Sequence, residues 1–323
     1  MPHSPKIPYT KPAVYIPDLV QQLVDRGLAC DDRNRAKFYL GNISYYRLSA
    51  YFIPFEQSFA PGAPRDHIFK PGTSFDDVLQ LYVFDRKLRL LVSEAIERIE
   101  IAVRSQWANQ LAIKHGPHAY MNSDLVKSPH DHLTQLARVS QRLTGSNEIF
   151  VLHYLKKYSE PFLPPIWAMV ETLSIGTLSR WFANTNDDRV KQDIARALGL
   201  PTIETFEGVL EVMALIRNIA AHHGRLWNRH LLKRIPYIKR LRSQIMAETI
   251  QGKDGTPQTQ ATNRMYNPLV VMILMMRQIN PASSWPERLR DLLNSLPLHH
   301  QPAMGLPADW QSRAPWTAPG GAA

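Results

Sequence analysis

The stretch from residue 74 to 115 constrains the fold more than any other part of the chain. It opens with "SFDD", where Ser74 stands at a helix N-cap and Asp77 at the reciprocal capping-box position. It closes with "KHGP", a basic last turn followed by Gly116 and Pro117, the usual stop signals. Between them Leu88, Leu91, Val92, Ala95, Ile96, Ile99 and Val103 recur at spacings of three and four, which draws a single apolar stripe. A helix this long, continuous or broken once, must lay that stripe against other helices.

Partners for it are easy to find. Helical periodicity also marks residues 131–143, 147–158, 165–183, 187–198, a helix that begins after Pro201 and runs to about His222, 226–246 and 264–279, with Gly224 as the stop after His222. The polar stretch "QGKDGTPQTQATN" before the last of these reads as an exposed loop. No segment is strand-rich and none repeats. In the last forty residues Pro281, Pro286, Pro297, Pro302, Pro307, Pro315 and Pro319 preclude long helices, and Trp285, Trp310 and Trp316 offer anchors for a tail lying on the body. The expected fold is therefore an all-α bundle, divided as an N-terminal helical region 1–73, a helical core 74–246 and a C-terminal helix with a Pro/Trp-rich extension 247–323.

Composition narrows the function classes. At 323 residues and 44% hydrophobic, the chain can bury one large core or two small ones. A single cysteine, Cys30, excludes an internal disulfide framework and a cysteine-based zinc cluster, and fits a reducing compartment. The longest apolar run, "LVVMILMM" at 269–276, is far short of the roughly 20 residues that span a bilayer, and the start carries no apolar signal region. Cytoplasmic location and no membrane partner are the expectation. Lys and Arg number 38 against 28 Asp and Glu, a net +10 that suits a polyanionic partner such as nucleic acid. Arg225, Arg229, Lys233, Arg234, Lys239, Arg240 and Arg242 follow one another with no acidic residue among them, with Trp227 set between the first two. A solvated basic face with no ligand is the plainer reading of that run.

Immediately before it stands "IRNIAAHHGRLWNR", residues 216–229, which sets Arg217, Asn218, His222 and His223 into an apolar helix. On a helix, Arg217 and His222 differ by about 7 Å along the axis and point in different directions. Asn218 and His222, four apart, share a face on which the amide can orient the imidazole, and this favours His222 over His223 as the working histidine. The geometry closes if the last turn unwinds at "HHG", or if a second copy brings its own arginine and histidine across a two-fold axis. Such a cluster suits phosphodiester chemistry. Histidine, with a reference pKa of about 6.5, moves protons at neutral pH, and arginine binds phosphate bidentately. Equally, Arg217 can pair with an acid inside a bundle and the histidines can cap the helix end.

Other features carry two readings each. Glu97, Glu100 and Arg104 lie along one helix face, either as an exposed ion-paired ridge or as carboxylates that orient Arg217 or a histidine. Tyr45, Tyr46, Arg47 and Tyr51 pack a core or, for Tyr46 and Arg47 above all, stack on bases; Trp227 invites the same base-stacking reading. No glycine-rich phosphate loop, "GxSxG" elbow or "HExxH" pair occurs. His222, His223 and His230 make a poor metal set, because neighbours on a helix diverge and no carboxylate lies nearby. Neither metal nor cofactor is expected.

"RNIAAHH" resembles the signature of the HEPN ribonucleases: an arginine followed by a polar residue, then a histidine after four to six intervening positions. The wider chain resembles the Abi-like abortive-infection subfamily, through "YLGNISYYRLSAYFIPF", "FDRKLRLLVSEAIERIEIAVRS", "PPIWAMVETLSIGTLSRWF", "RNIAAHHGRLWNR" and "MGLPADW" in that order. The resemblance implies a HEPN-like four-helix bundle that forms a homodimer around a composite, metal-independent RNA-cleaving site. In it Arg217 would stabilise charge on the scissile phosphate, Asn218 position the base, and His222 or His223 act as general acid or base. Attack by the ribose 2′-hydroxyl would confine the substrate to RNA. The implied role is an endoribonuclease toxin in phage defence or a toxin–antitoxin pair, restrained by a partner RNA, an antitoxin or a terminal segment. The alternative is a non-catalytic module in which the basic run 225–242 holds a structured RNA.

Overall fold

The computed structural model describes residues 8–10, 12–57, 65–252 and 254–317. Pro319 and most of the opening segment lie outside the described residues. Two compact units are present, residues 1–86 and 87–323.

In the first unit α1 (Ile16–Asp25), α2 (Arg33–Ile43) and α3 (Tyr45–Phe52) precede the start of α4 (Phe75–His115). Val20, Leu23, Leu40, Leu48, Phe52 and Phe69 make its core. Tyr51 is buried and donates its hydroxyl to the buried Asp85 carboxylate at 2.6 Å, so it packs.

α4 runs unbroken for 41 residues. Its start is the expected capping box: Ser74 N–H donates to Asp77 Oδ2 at 2.8 Å, and Asp77 N–H to Ser74 Oγ at 3.2 Å. Gly116 ends it at φ 89°, a conformation that a side chain would strain. Of the predicted stripe, Leu88, Val92, Ala95, Ile96, Ile99 and Val103 are buried, while Leu91 is half-buried and gives its carbonyl to Trp285 Nε1 at 2.8 Å.

The second unit continues with α5 (Pro129–Thr144), α6 (Ile149–Lys157), α7 (Ile166–Met169), α8 (Ile175–Asn184), α9 (Asp188–Ala197), α10 (Ile203–Ala221), α11 (Tyr266–Ile279) and α12 (Trp285–Asn294). α8 packs on α10, with the Phe182 and Phe206 rings meeting edge to face at 4.9 Å. α11 is buried on every side from Tyr266 to Ile273, so the apolar run "LVVMILMM" is a core helix. Among the described residues no helix is long and apolar enough to cross a membrane. As expected, Trp285, Trp310 and Trp316 are buried and seat the C-terminal extension, although α12 gives that extension a ten-residue helix. Pro286 is tolerated there because it sits in the first turn, where its missing N–H has no partner to lose.

Three expectations need correction. Residues 165–183 are not one helix, because Ser174 caps α8 afresh and accepts the Thr177 N–H at 3.4 Å, leaving a 3-10 turn at Val170–Thr172. Residues 226–246 are not helical apart from a 3-10 turn at Lys239–Leu241. Their buried Leu231, Ile235, Ile238, Leu241 and Ile245 imitate a helical period, but Pro236 lacks a donor and bars the α conformation at Ile235. Gly208 of α10 explains where Pro236 goes: a Cβ at Gly208 would lie 2.4 Å from Pro236 Cγ, so the glycine lets this segment lie directly on the helix. Finally, the stretch read as a loop holds an antiparallel hairpin, β1 (Ala247–Gln251) with β2 (Pro257–Ala261). Its largely polar strands carry no apolar alternation to announce them. The fold is mainly α with this small sheet.

Asp187 links α4 to α9. Its carboxylate lies 2.7 Å from Lys114 Nζ and 2.7 Å from His115 Nε2, and accepts the Val190 N–H at 3.1 Å as the N-cap of α9. Burial alone would raise its pKa, but the hydrogen bonds outweigh it and lower the pKa to about 2. A depressed folded-state pKa contributes stability above the unfolded value, lost as pH falls through the folded one. Unfolding by urea should therefore show about 2 kcal/mol lost between about pH 4 and 2 that Asp187→Asn no longer loses. An identical acid limb in the variant would refute this.

Candidate functional site

The two ends of α10 place the motif. Thr202 caps the start, accepting the Thr205 N–H at 3.2 Å, and Phe206, Val209, Leu210, Val212, Met213 and Ile216 bury one face. At the other end His222 N–H reaches the Asn218 carbonyl at 3.0 Å, His223 N–H the Ala220 carbonyl at 2.9 Å and Gly224 N–H the Ile219 carbonyl at 2.7 Å. This is a Schellman ending, whose left-handed position usually belongs to glycine. Here it falls to His223, at φ 55°, and Gly224 follows it. The turn does unwind at "HHG".

Asn218, His222 and His223 face solvent and Arg217 is half-buried beside them. Arg217 Nη1 donates to Asn218 Oδ1 at 3.3 Å, its one side-chain partner among the described residues. The expected pairing of the Asn218 amide with the His222 ring is thus replaced by one with Arg217. His222, the C-cap at φ −87° and ψ 15°, still gives its backbone N–H to the Asn218 carbonyl, but among the described residues no hydrogen bond joins its ring to the Asn218 amide. With that pairing goes the preference for His222.

Glu97, Glu100 and Arg104 touch none of these groups. Arg104 pairs with Glu100, lies 3.2 Å from Glu171 Oε2 and donates to the Leu173 carbonyl, the one left open by the break before α8. Glu97 is exposed. The face is a clamp on the 170–174 turn, tighter than an exposed ridge and remote from the role of orienting Arg217.

The basic run divides. Lys233 pairs with Glu211 at 2.7 Å, Arg234 with Glu248, and Arg240 with the Gly199 carbonyl, while Arg229 Nη1 donates to the Arg225 carbonyl at 3.0 Å. Arg225 is half-buried. Lys239 and Arg242 are exposed with no acidic partner among the described residues. Trp227 corrects the stacking idea: its ring is fully buried, its Nε1 donates to the His300 carbonyl at 3.3 Å, and no base can reach it. Tyr46, 89% exposed, and the exposed Arg47 belong to the first unit.

Sequence reasoning missed His300, whose ring and carbonyl meet Trp227, and also Arg264 and Asn228, which pair with each other, Asn228 being the next residue in the chain. Arg264 Nη1 donates to Asn228 Oδ1 at 2.9 Å and to the Ala303 carbonyl at 3.2 Å. The nearest signal was the glycine of "MGLPADW". Among the described residues no group of three or more His, Cys, Asp or Glu could hold a metal ion, and His230 sits 3.1 Å from Asn263 Oδ1.

One helix end therefore presents a guanidinium fixed by an amide, with N–H donors to spare, and two solvent-facing imidazoles. That set can bind an anion and move protons next to it. A family model described as Abi-like protein matches residues 38–228, which includes the whole of this helix end. No curated protein and no solved structure matches the chain.

Proposed function

The chain belongs to the Abi-like protein family, and we propose that it is a metal-independent endoribonuclease of abortive infection or of a toxin–antitoxin pair, built on a HEPN-type bundle and acting as a homodimer. The observation that carries this reading is the meeting of Arg217, Asn218, His222 and His223 at one exposed, unwound helix end. In the reaction one imidazole takes the proton of a ribose 2′-hydroxyl, whose oxygen attacks the adjacent phosphorus. The bond from phosphorus to the 5′-oxygen breaks, and a second imidazole, from the same copy or its partner, protonates the leaving oxygen. The products are a 2′,3′-cyclic phosphate and a 5′-hydroxyl. Arg217 balances the charge that builds on the phosphoryl oxygens. Lys239 and Arg242 supply cations for the flanking phosphates. An unrestrained ribonuclease harms its host, so a regulatory RNA or antitoxin partner belongs to this reading.

His223 is the first choice for proton transfer, since strained residues gather at functional sites and its backbone is the left-handed one. The test is RNA cleavage in EDTA by the wild type, Arg217→Ala, His222→Ala and His223→Ala, with analysis of product ends. Expected are cyclic phosphates from the wild type and none from Arg217→Ala. Intact RNA that co-purifies with all four proteins would replace the enzyme by a non-catalytic RNA-binding module.

A further inference from the structure

The loop that leaves the motif is pinned from outside it. Between His223 and Asn228, both left-handed at φ 55° and 52°, Leu226 and Trp227 are buried. Trp227 Nε1 is held by the His300 carbonyl at 3.3 Å, and the two rings meet edge to face at 5.5 Å. One nitrogen of Arg264 ties Asn228 to the Ala303 carbonyl. Gly305 makes room for it: at φ 81°, a Cβ there would lie 2.6 Å from Arg264 Cβ. His300, Ala303 and Gly305 all belong to the C-terminal extension, beyond the matched residues 38–228.

We propose that Arg264 is a positioning residue of the site, and that residues 298–305 act with it as a brace that holds the 224–228 loop and so fixes the left-handed turn at His223. The proposal rests on the reading of that turn as the catalytic end of α10. Two left-handed residues and two buried anchors leave the loop few alternatives while the brace is in place. Without the Arg264 link, Asn228 loses its hold on the extension and the Schellman hydrogen bonds of His223 and Gly224 are freed to open locally.

Amide hydrogen exchange on the full chain tests this with no need for activity. In Arg264→Ala the His223 and Gly224 amides should exchange about tenfold faster or more, while those of Val209 to Met213 keep their protection. Arg264→Lys, which keeps the stem and the charge, should fall between this variant and the wild type, and Gly305→Ala should reproduce the Arg264→Ala pattern. Arg277→Ala, which frees the Pro315 carbonyl elsewhere on the extension, should leave both amides unchanged. Unchanged exchange at 223 and 224 in Arg264→Ala, or equal acceleration throughout α10, would overturn the brace. Where the wild type cleaves RNA, Arg264→Ala should lower kcat about tenfold or more with little change in KM; an unaltered kcat would also overturn it. A wild type that cleaves no RNA removes the ribonuclease reading and leaves the exchange result to decide the brace alone.

Discussion

His223→Gly is expected to lower RNA cleavage by about 10² to 10⁴-fold, the usual contribution of a positioned acid or base, while barely moving the unfolding transition. The two effects separate because they come from different parts of the residue. The backbone at φ 55° costs a side-chain-bearing residue about 1 to 2 kcal/mol. Glycine removes that strain, and the unfolded chain recovers some of it as the extra entropy of glycine, roughly 0.5 to 1 kcal/mol. The side chain is exposed, and an interaction made at an exposed site contributes only a few tenths of a kcal/mol to about 1 kcal/mol. Net stability should stay within about 1 kcal/mol of wild type. The rate loss corresponds to about 3 to 5 kcal/mol in the transition state, too large to arise from a change in folded population. Denaturant titration beside single-turnover cleavage measures both. Full activity in His223→Gly would show the residue to be a helix cap and pass the proton-transfer role to His222.

Lys191→Ala should be the costliest substitution outside the site, at about 3 kcal/mol or more. Lys191 in α9 is 0% exposed, its Nζ 2.5 Å from Glu207 Oε1 of α10, 3.2 Å from the Ala183 carbonyl at the end of α8, and 5.3 Å from the Phe182 ring centroid. Burial pushes its pKa down, against the opposing pull of Glu207. Truncation therefore leaves a cavity where the four-carbon stem lay, a helix-end carbonyl without its donor and a carboxylate without its cation. Lys191→Met refills the cavity, and since the Glu207 side chain is 28% exposed and can turn its buried Oε1 towards water, it should cost about 1 to 2 kcal/mol, less than Lys191→Ala. Equal losses in the two variants would mean that packing volume is not what the stem supplies. Because α8, α9 and α10 share this one ammonium, the loss should appear as a lower midpoint of a single transition.

How much was legible follows from where each signal resides. Ser74 with Asp77, Gly116 and the stripe along α4 are local facts, and they were read correctly. So was the span of α10, whose capping threonine and closing Gly224 flank the apolar run. The break before α8 was missed because the apolar period runs on through Ser174, a good N-cap that the pattern masked; Arg104, 69 residues away, takes the carbonyl that the break exposes. At the site, the residues of the motif could be named from the sequence, but the partner of Asn218 could not. That depends on the conformation of the Arg217 side chain, whose Nη1 donates to Asn218 Oδ1.

The sequence by itself determined the mainly α class, the long helix, the position of the motif at a helix end and the burial of the C-terminal tryptophans, because caps, periods and large apolar side chains act over a few neighbours. Only the tertiary structure decided that Trp227 is core, that Pro236 of the basic run lies on Gly208, that Lys239 and Arg242 are exposed with no acidic partner among the described residues, and that Arg264 joins Asn228 to the C-terminal extension. Each of these is settled by which distant backbone or carboxylate comes within about 3 Å, and contacts between residues far apart in the chain leave no periodic trace in it.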